Sequence, residues 1–159
     1  MTNTSKILVK QFSEVGVKMT GFMQQLRADQ MDVKVYEDGA EWTVREVCLH
    51  IVEAEGSVLR LIDSVLAGGE GTPKDFDLDR YNESHVKKMG RLSQKEIVEK
   101  FSSLRAETII NIEKLDEDDF VKVGRHPFLG DGTVKEMFRM INVNINLHIR
   151  DIRRVLRNR

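Results

Sequence analysis

Three tetrapeptides limit what this chain can fold into: T-V-R-E at Thr43–Glu46, S-Q-K-E at Ser93–Glu96 and T-V-K-E at Thr133–Glu136. Each sets a hydroxyl three residues ahead of a glutamate. The hydroxyl can accept the glutamate's backbone N–H, and the carboxylate can reach back to the N–H of the cap. An apolar pattern with helical period follows each one. Trp42 with Val47, and Leu92 with Ile97, add the hydrophobic contact that fixes how the chain enters a helix. Three helices therefore start at marked points.

A fourth helix precedes them, over Thr4 to Ala28. Leu8, Phe12, Val15, Met19, Phe22 and Leu26 are spaced 4, 3, 4, 3 and 4 residues apart, one apolar stripe of the bundle type. The helix after Thr43 presents Val47, His50, Ile51, Ala54, Val58, Leu61, Ile62 and Val65 to a core and stops at Gly68-Gly69. The helix after Ser93 presents Ile97, Phe101, Leu104, Ile112 and Leu115. The last presents Met137, Ile141, Asn144, Ile145, His148, Ile152, Val155 and Leu156. No alternation is long enough to compete as a strand, apart from Val33–Tyr36. The expected fold is all-α, a four-helix bundle in one domain, 1–159.

The connections Asp29–Trp42, Gly68–Leu92 and Asp116–Gly132 are long. The middle one, with a short helix at Asp79–Met89, has the reach to join two parallel helices, so simple up-down-up-down order is not required. Loops of this length are often functional.

With 40% apolar and 32% charged residues the chain has enough hydrophobes for a packed core. A formal charge of −1 gives no pull toward nucleic acid or an anionic membrane. One cysteine, Cys48, excludes an internal disulfide and suits a reducing compartment. The N-terminus has no signal-like apolar run, and no window is apolar enough to span a bilayer. The expectation is a cytoplasmic protein with neither nucleic-acid nor membrane partners. The closing R-D-I-R-R-V-L-R-N-R suits the negative end of a helix dipole and reads as solvated charge.

His50 and His148 stand on core-facing stripes of two different helices. A single inward histidine is ordinarily a hydrogen-bonded core residue; two raise the case for a metal, since imidazole is its commonest ligand. His50 lies roughly 10 Å into its helix, and His148 roughly 12 Å from the far end of its own. Antiparallel packing would bring them level, with Asn144 one turn away. Cys48 is offset from His50 and points elsewhere. His85 and His126 fall in loops and read as surface or turn residues. There is no Gly-rich phosphate loop, no nucleophile elbow and no Cys-x-x-Cys pair.

Taken in order, W-T-V-R-E-V-C-L-H (Trp42–His50), D-R-Y-N-E-S-H-V around Asn82, S-Q-K-E-I-V-E-K-F, H-P-F-L-G-D-G-T-V-K-E-M-F and N-x-x-x-H-I-R-D-I resemble the DinB/YfiT-like superfamily, from about Thr4 to Leu156. The resemblance implies an up-down-down-up four-helix bundle, often a homodimer. It also implies a divalent metal held by one histidine on the second long helix and two ligands four residues apart on the last. His50 matches the first ligand and His148 the last. Asn144 falls where the family has histidine, or glutamate in its thiol-dependent isomerase branch.

That departure bears on the chemistry. Two imidazoles and an amide bring no negative charge to a dication, and zinc or nickel prefers nitrogen or sulfur. Glu53 and Asp151, each three residues past a histidine, are the carboxylates that could supplement the set by rotating inward. Two readings stay open. One is a metal-dependent thiol transferase, isomerase or hydrolase acting on a small molecule, with a low-molecular-weight thiol as cofactor in the first two cases. The other is a non-catalytic small-molecule-binding or interaction module, its pocket closed by an Asn144–His148 hydrogen bond.

Overall fold

The computed structural model describes residues 1–159, which run in the order α1 (Asn3–Gln25), a 3-10 turn (Ala28–Gln30), α2 (Val44–Leu66), α3 (Leu78–Met89), α4 (Gln94–Lys114), α5 (Glu117–Phe120), β1 (Val123–His126), β2 (Gly130–Thr133) and α6 (Val134–Arg157). All three capping boxes form: Thr43 with Glu46, Ser93 with Glu96, and Thr133 with Glu136. At Thr43, the hydroxyl accepts the Glu46 N–H at 3.3 Å while Glu46 Oε1 accepts the Thr43 N–H at 3.1 Å. Asp116 and Asp119 make a fourth such pair at the head of α5.

Side-chain contacts fix the directions of the four long helices. Ser5 near the start of α1 bonds the Ile112 carbonyl near the end of α4, so these two run antiparallel. Arg45 and Leu92, at the heads of α2 and α4, are joined by a bond from Arg45 Nη1 to the Leu92 carbonyl, which makes that pair parallel. His50 early in α2 meets His148 late in α6, an antiparallel pair. Phe12 meets Phe138 and Lys18 meets Asn146, so α1 and α6 run parallel. The order is up-down-down-up, and the long Gly68–Leu92 connection containing α3 makes the parallel crossover.

The stripe of α1 is buried as its spacing requires: Leu8, Phe12, Met19, Phe22 and Leu26 are in the core, and Val15 packs at its edge. Phe12, Phe101, Phe120 and Phe138 are among its largest fully buried side chains. Burying one such side chain contributes about 1.5–3 kcal/mol. Helix α1 ends at Gln25 rather than Ala28, because Leu26 already has extended backbone.

Two extended segments refine the expected layout. Val33–Tyr36 pairs back on the residues before α2: Val35 N–H bonds the Trp42 carbonyl at 2.8 Å and Val44 N–H the Val33 carbonyl at 2.9 Å. This brings Tyr36 and Trp42 to the head of α2. The expectation of no further strand in Asp116–Gly132 is corrected by the β1–β2 hairpin, which pairs Val123 with Thr133 through His126 with Gly130. Strands of four residues, one of them G-D-G-T, carry too little alternation to announce themselves. The hairpin also holds the loop after α2: Arg125 N–H bonds the Glu70 carbonyl, and Thr72 N–H bonds the Arg125 carbonyl. Gly71, at φ +97°, is the residue between them, and a Cβ there would lie 2.3 Å from Arg125 N. Only glycine allows that approach.

Candidate functional site

The head of α2, the tail of α6 and the Val33–Trp42 segment meet around two imidazoles. His50 and His148 stand edge to face with ring centroids 5.1 Å apart. Trp42 covers the other side of His50 at 4.8 Å. The antiparallel α2–α6 packing brings the two rings to one level, as their depths along each helix require.

His148 is oriented from behind. Tyr36 Oη lies 2.9 Å from His148 Nδ1 and donates to Asp151 Oδ2 at 2.7 Å. The tyrosine has one hydroxyl proton, spent on Asp151, so its oxygen accepts from His148 Nδ1–H. The lone pair of His148 is thereby left on Nε2, the tautomer a metal ligand needs. Burial depresses the His148 pKa against the pull of Asp151. Burial and then the neighbouring His148 push His50 down to about 3. Both rings are neutral at pH 7. Burial, reinforced by donation to Asp151, pushes the Tyr36 hydroxyl up, so it keeps its proton.

The carboxylates of Glu53 and Asp151 are engaged by other partners. Desolvation works against ionising Asp151, yet Tyr36, Arg150 and Arg154 outweigh it and hold the carboxyl below its usual range. It reaches His148 only through Tyr36. Glu53 accepts from Arg60 at 3.1 Å and from Tyr81 at 3.3 Å. Asn144 is half-buried and lines two of the cavities beside the ring pair. The expected Asn144–His148 bond does not form, His148 Nδ1 being engaged by Tyr36 instead.

Two cavities open over the rings, both lined by His50, His148 and Asn82. One, of about 500 Å³, lies under Tyr36 and Trp42. The other, of about 590 Å³, extends past Tyr81, Phe76 and the hairpin. His126 lines the second and is 4% exposed, which corrects its assignment to a surface loop: it ends β1 and is buried under the hairpin turn. His85 is likewise on α3, not in a loop, stacked on Tyr81 at 3.7 Å. Cys48 points away from His50 but is fully buried, and burial pushes its thiol up to about 12. Sequence reasoning missed Tyr36 and Trp42 as site residues. The signal was there, an aromatic on a strand-like stretch and another just before a marked cap, but not the pairing that joins them.

As a metal site the set is partial. Two imidazoles sharing a tetrahedral ion stand roughly 5 Å apart between centroids, which fits the observed pair. No group of three or more His, Cys, Asp or Glu side chains converges to hold an ion; the neutral Asn144 lines the same gap as the two rings. His50 Nδ1 is sealed from solvent without a partner, whereas a ligating histidine usually has its second nitrogen bonded.

Residues 11–152 match the family model of the DinB superfamily. The chain belongs to that superfamily. Among solved structures, this DinB protein is similar to YfiT from Bacillus subtilis, described as a probable metal-dependent hydrolase with an unusual four-helix bundle topology. The TM-score is 0.78 at 17% identity, over 99% of this chain and 89% of that one. It is also similar to a mycothiol-dependent maleylpyruvate isomerase, with a TM-score of 0.76 at 11% identity, over 96% of this chain and 63% of that one. An uncharacterized protein from Clostridium difficile 630 aligns with a TM-score of 0.74 at 13% identity, over 97% and 96% of the two chains. At these identities the likeness is one of fold. No curated protein matches the sequence. No helix is long and apolar enough to cross a membrane.

Proposed function

We propose that this DinB protein binds a small molecule over His50 and His148 and uses a divalent cation, zinc or nickel, held by those two rings with Asn144 as a weak oxygen ligand. The observation that carries the reading is the convergence of the two neutral imidazoles at 5.1 Å on the floor of a large cavity. When bound, such an ion polarises a water or a low-molecular-weight thiol and lowers its pKa toward neutrality. The reaction class is then hydrolysis of, or thiol transfer to, a small electrophile. Tyr36 holds the His148 Nδ1 proton in place and keeps Nε2 free, while Asp151 holds Tyr36. Trp42 walls His50 from solvent. Because the donor set carries no negative charge, affinity should be lower than that of a three-histidine or carboxylate-containing centre.

A second reading, a small-molecule-binding module without catalysis, is favoured by the unpartnered His50 Nδ1 and by the engagement of both nearby carboxylates. Zinc and nickel titrations of untagged, chelator-treated protein decide between them. The enzyme reading expects one ion per chain at micromolar affinity, lost in His50→Ala and in His148→Ala. Absence of binding at millimolar metal leaves the non-catalytic reading. A homodimer and a cytoplasmic setting belong to the same proposal; sedimentation measures the first and fractionation of the native cell the second.

A further inference from the structure

His126 is a buried imidazole for which the reading above has no use. Its Nδ1 accepts two backbone N–H bonds across the hairpin turn, from Phe128 and Leu129, each at 3.1 Å. A ring nitrogen that accepts two N–H donors has no proton of its own, so the proton is on Nε2. Protonating the ring would aim a third N–H at those two amides. The turn therefore keeps the ring neutral, and burial lowers its pKa in the same sense. With a proton on Nε2 and Nδ1 occupied, the ring has no lone pair for a metal, unlike His148. What it does have is a fixed N–H donor, and that Nε2 is sealed from solvent with no partner. A buried donor left unpaired is costly and in a native protein calls for an explanation.

His126 lines the cavity of about 590 Å³ with Arg60, Arg150, Leu61 and Phe76; with Nδ1 held against the turn, Nε2 is the nitrogen a ligand there can meet, once a lining side chain moves off it. Phe128, 70% exposed, is the lining side chain with most freedom to turn aside. Arg60 is paired with Glu53 and Arg150 with Asp151, which also lines the cavity, but Nη1 of each arginine makes no bond and suits an acidic group, while the leucine and phenylalanine favour an apolar body. We propose that His126 anchors the ligand, its Nε2–H donating to a carboxylate oxygen of a small organic acid whose apolar part lies on Leu61 and Phe76. This names the ligand class for the cavity proposed above and rests on that cavity being a small-molecule site, not on the metal.

The test uses the full-length, chelator-treated protein, with benzoate as probe and benzyl alcohol as uncharged control. Nitrogen-15 imidazole spectra should show His126 as the Nε2–H tautomer between about pH 5 and 8, and benzoate should move its Nε2 resonance. His126→Asn keeps a side-chain oxygen for the turn amides, as asparagine does in turns, and leaves its amide NH2 on a shorter side chain, short of the Nε2 position. It should keep the melting temperature while weakening benzoate by about tenfold or more, the loss of a bond to a charged acceptor. An Nδ1–H or titrating ring, equal binding by His126→Asn, equal binding of benzyl alcohol, or no benzoate binding overturns the proposal. Should His126→Asn fail to fold, the wild-type tautomer and the benzoate-induced shift decide alone. Failure to bind zinc leaves every one of these readouts in force, so the two proposals fail separately.

Discussion

Two polar clusters lie inside the bundle, and the same narrow gap of about 20 Å³ is lined by Glu55 of one and by His50, Asn144 and His148 of the other. In the first, Arg105 Nη2 lies 2.5 Å from Glu55 Oε1, a contact of charge more than of well-aligned hydrogen bonding. Arg105 Nη1 donates to the Phe12 carbonyl and to Asn142 Oδ1, both at 3.0 Å, and the guanidinium sits over the Phe12 and Phe101 rings. In the second, the rings are neutral and open to cavities, and one nitrogen has no partner. Charge buried on both sides of a contact closes a site. Neutral groups with unspent lone pairs leave one open. The first cluster ties α1, α2, α4 and α6 together; the second opens to cavities where a ligand can lie.

If that contrast is right, breaking the closed cluster costs most. Glu55→Ala leaves Arg105 charged and buried, and should cost about 3–5 kcal/mol in urea unfolding. Replacing both partners by apolar groups, Glu55→Leu with Arg105→Met, should be neutral or stabilising. A single variant as stable as wild type would mean that the pair does not hold the helices.

The open cluster should respond to acid. His50 has a folded pKa of about 3, below the roughly 6.5 of an unfolded histidine. As pH falls, the unfolded chain therefore takes up the proton first. Stability from this residue is complete above about pH 6.5 and falls by roughly 1.4 kcal/mol per pH unit below it, until the folded ring also titrates. From pH 6.5 to 5 the loss is about 2 kcal/mol. His148 and His126 shift in the same direction, so the measurement is the difference between wild type and His50→Leu at the two pH values. Equal pH slopes would place His50 in water.

Adding a donor to the open cluster is the next test. Asn144→His supplies a third imidazole and should tighten zinc at least tenfold, about 1.4 kcal/mol, by competition with a chromophoric chelator. Unchanged affinity would separate Asn144 from the two rings. The smallest effect belongs to Tyr36→Phe, which removes the acceptor for His148 Nδ1–H and the donor to Asp151. It should cost about 1 kcal/mol in thermal unfolding and weaken zinc by loosening the tautomer.

The bundle was legible because its signals are local. Caps such as Thr43 with Glu46 and a stripe such as Leu8 to Leu26 are written within a few residues. The inward placement of His50 and His148 was legible for the same reason. What was not legible needed partners from distant segments. Nothing near Glu55 or Arg105 marks either as buried, and their pairing exists only once α2 lies beside α4. On α6 the buried asparagine is Asn142, in line with Phe138, Ile145 and Ile149, while Asn144 sits at the flank facing the cavities. One helical stripe does not reveal which neighbour each of its edges will meet. Tyr36 needed the Val33–Val44 pairing, and His126 needed a hairpin turn whose amides claim one side of its ring.

Gly71 separates framework from chemistry in this wall of the cavity. Main-chain bonds join Glu70 and Thr72 to Arg125, and Arg125 Nη1 adds a bond to the Thr72 carbonyl, so the loop is carried past β1 without calling on the side chain of Thr72 or Pro73. The path is thus secured by one irreplaceable small residue, and its neighbours Thr72 and Pro73, which line the cavity, are at liberty to vary. A lineage of such proteins could retune what it accepts through those two positions while the loop stays where it is.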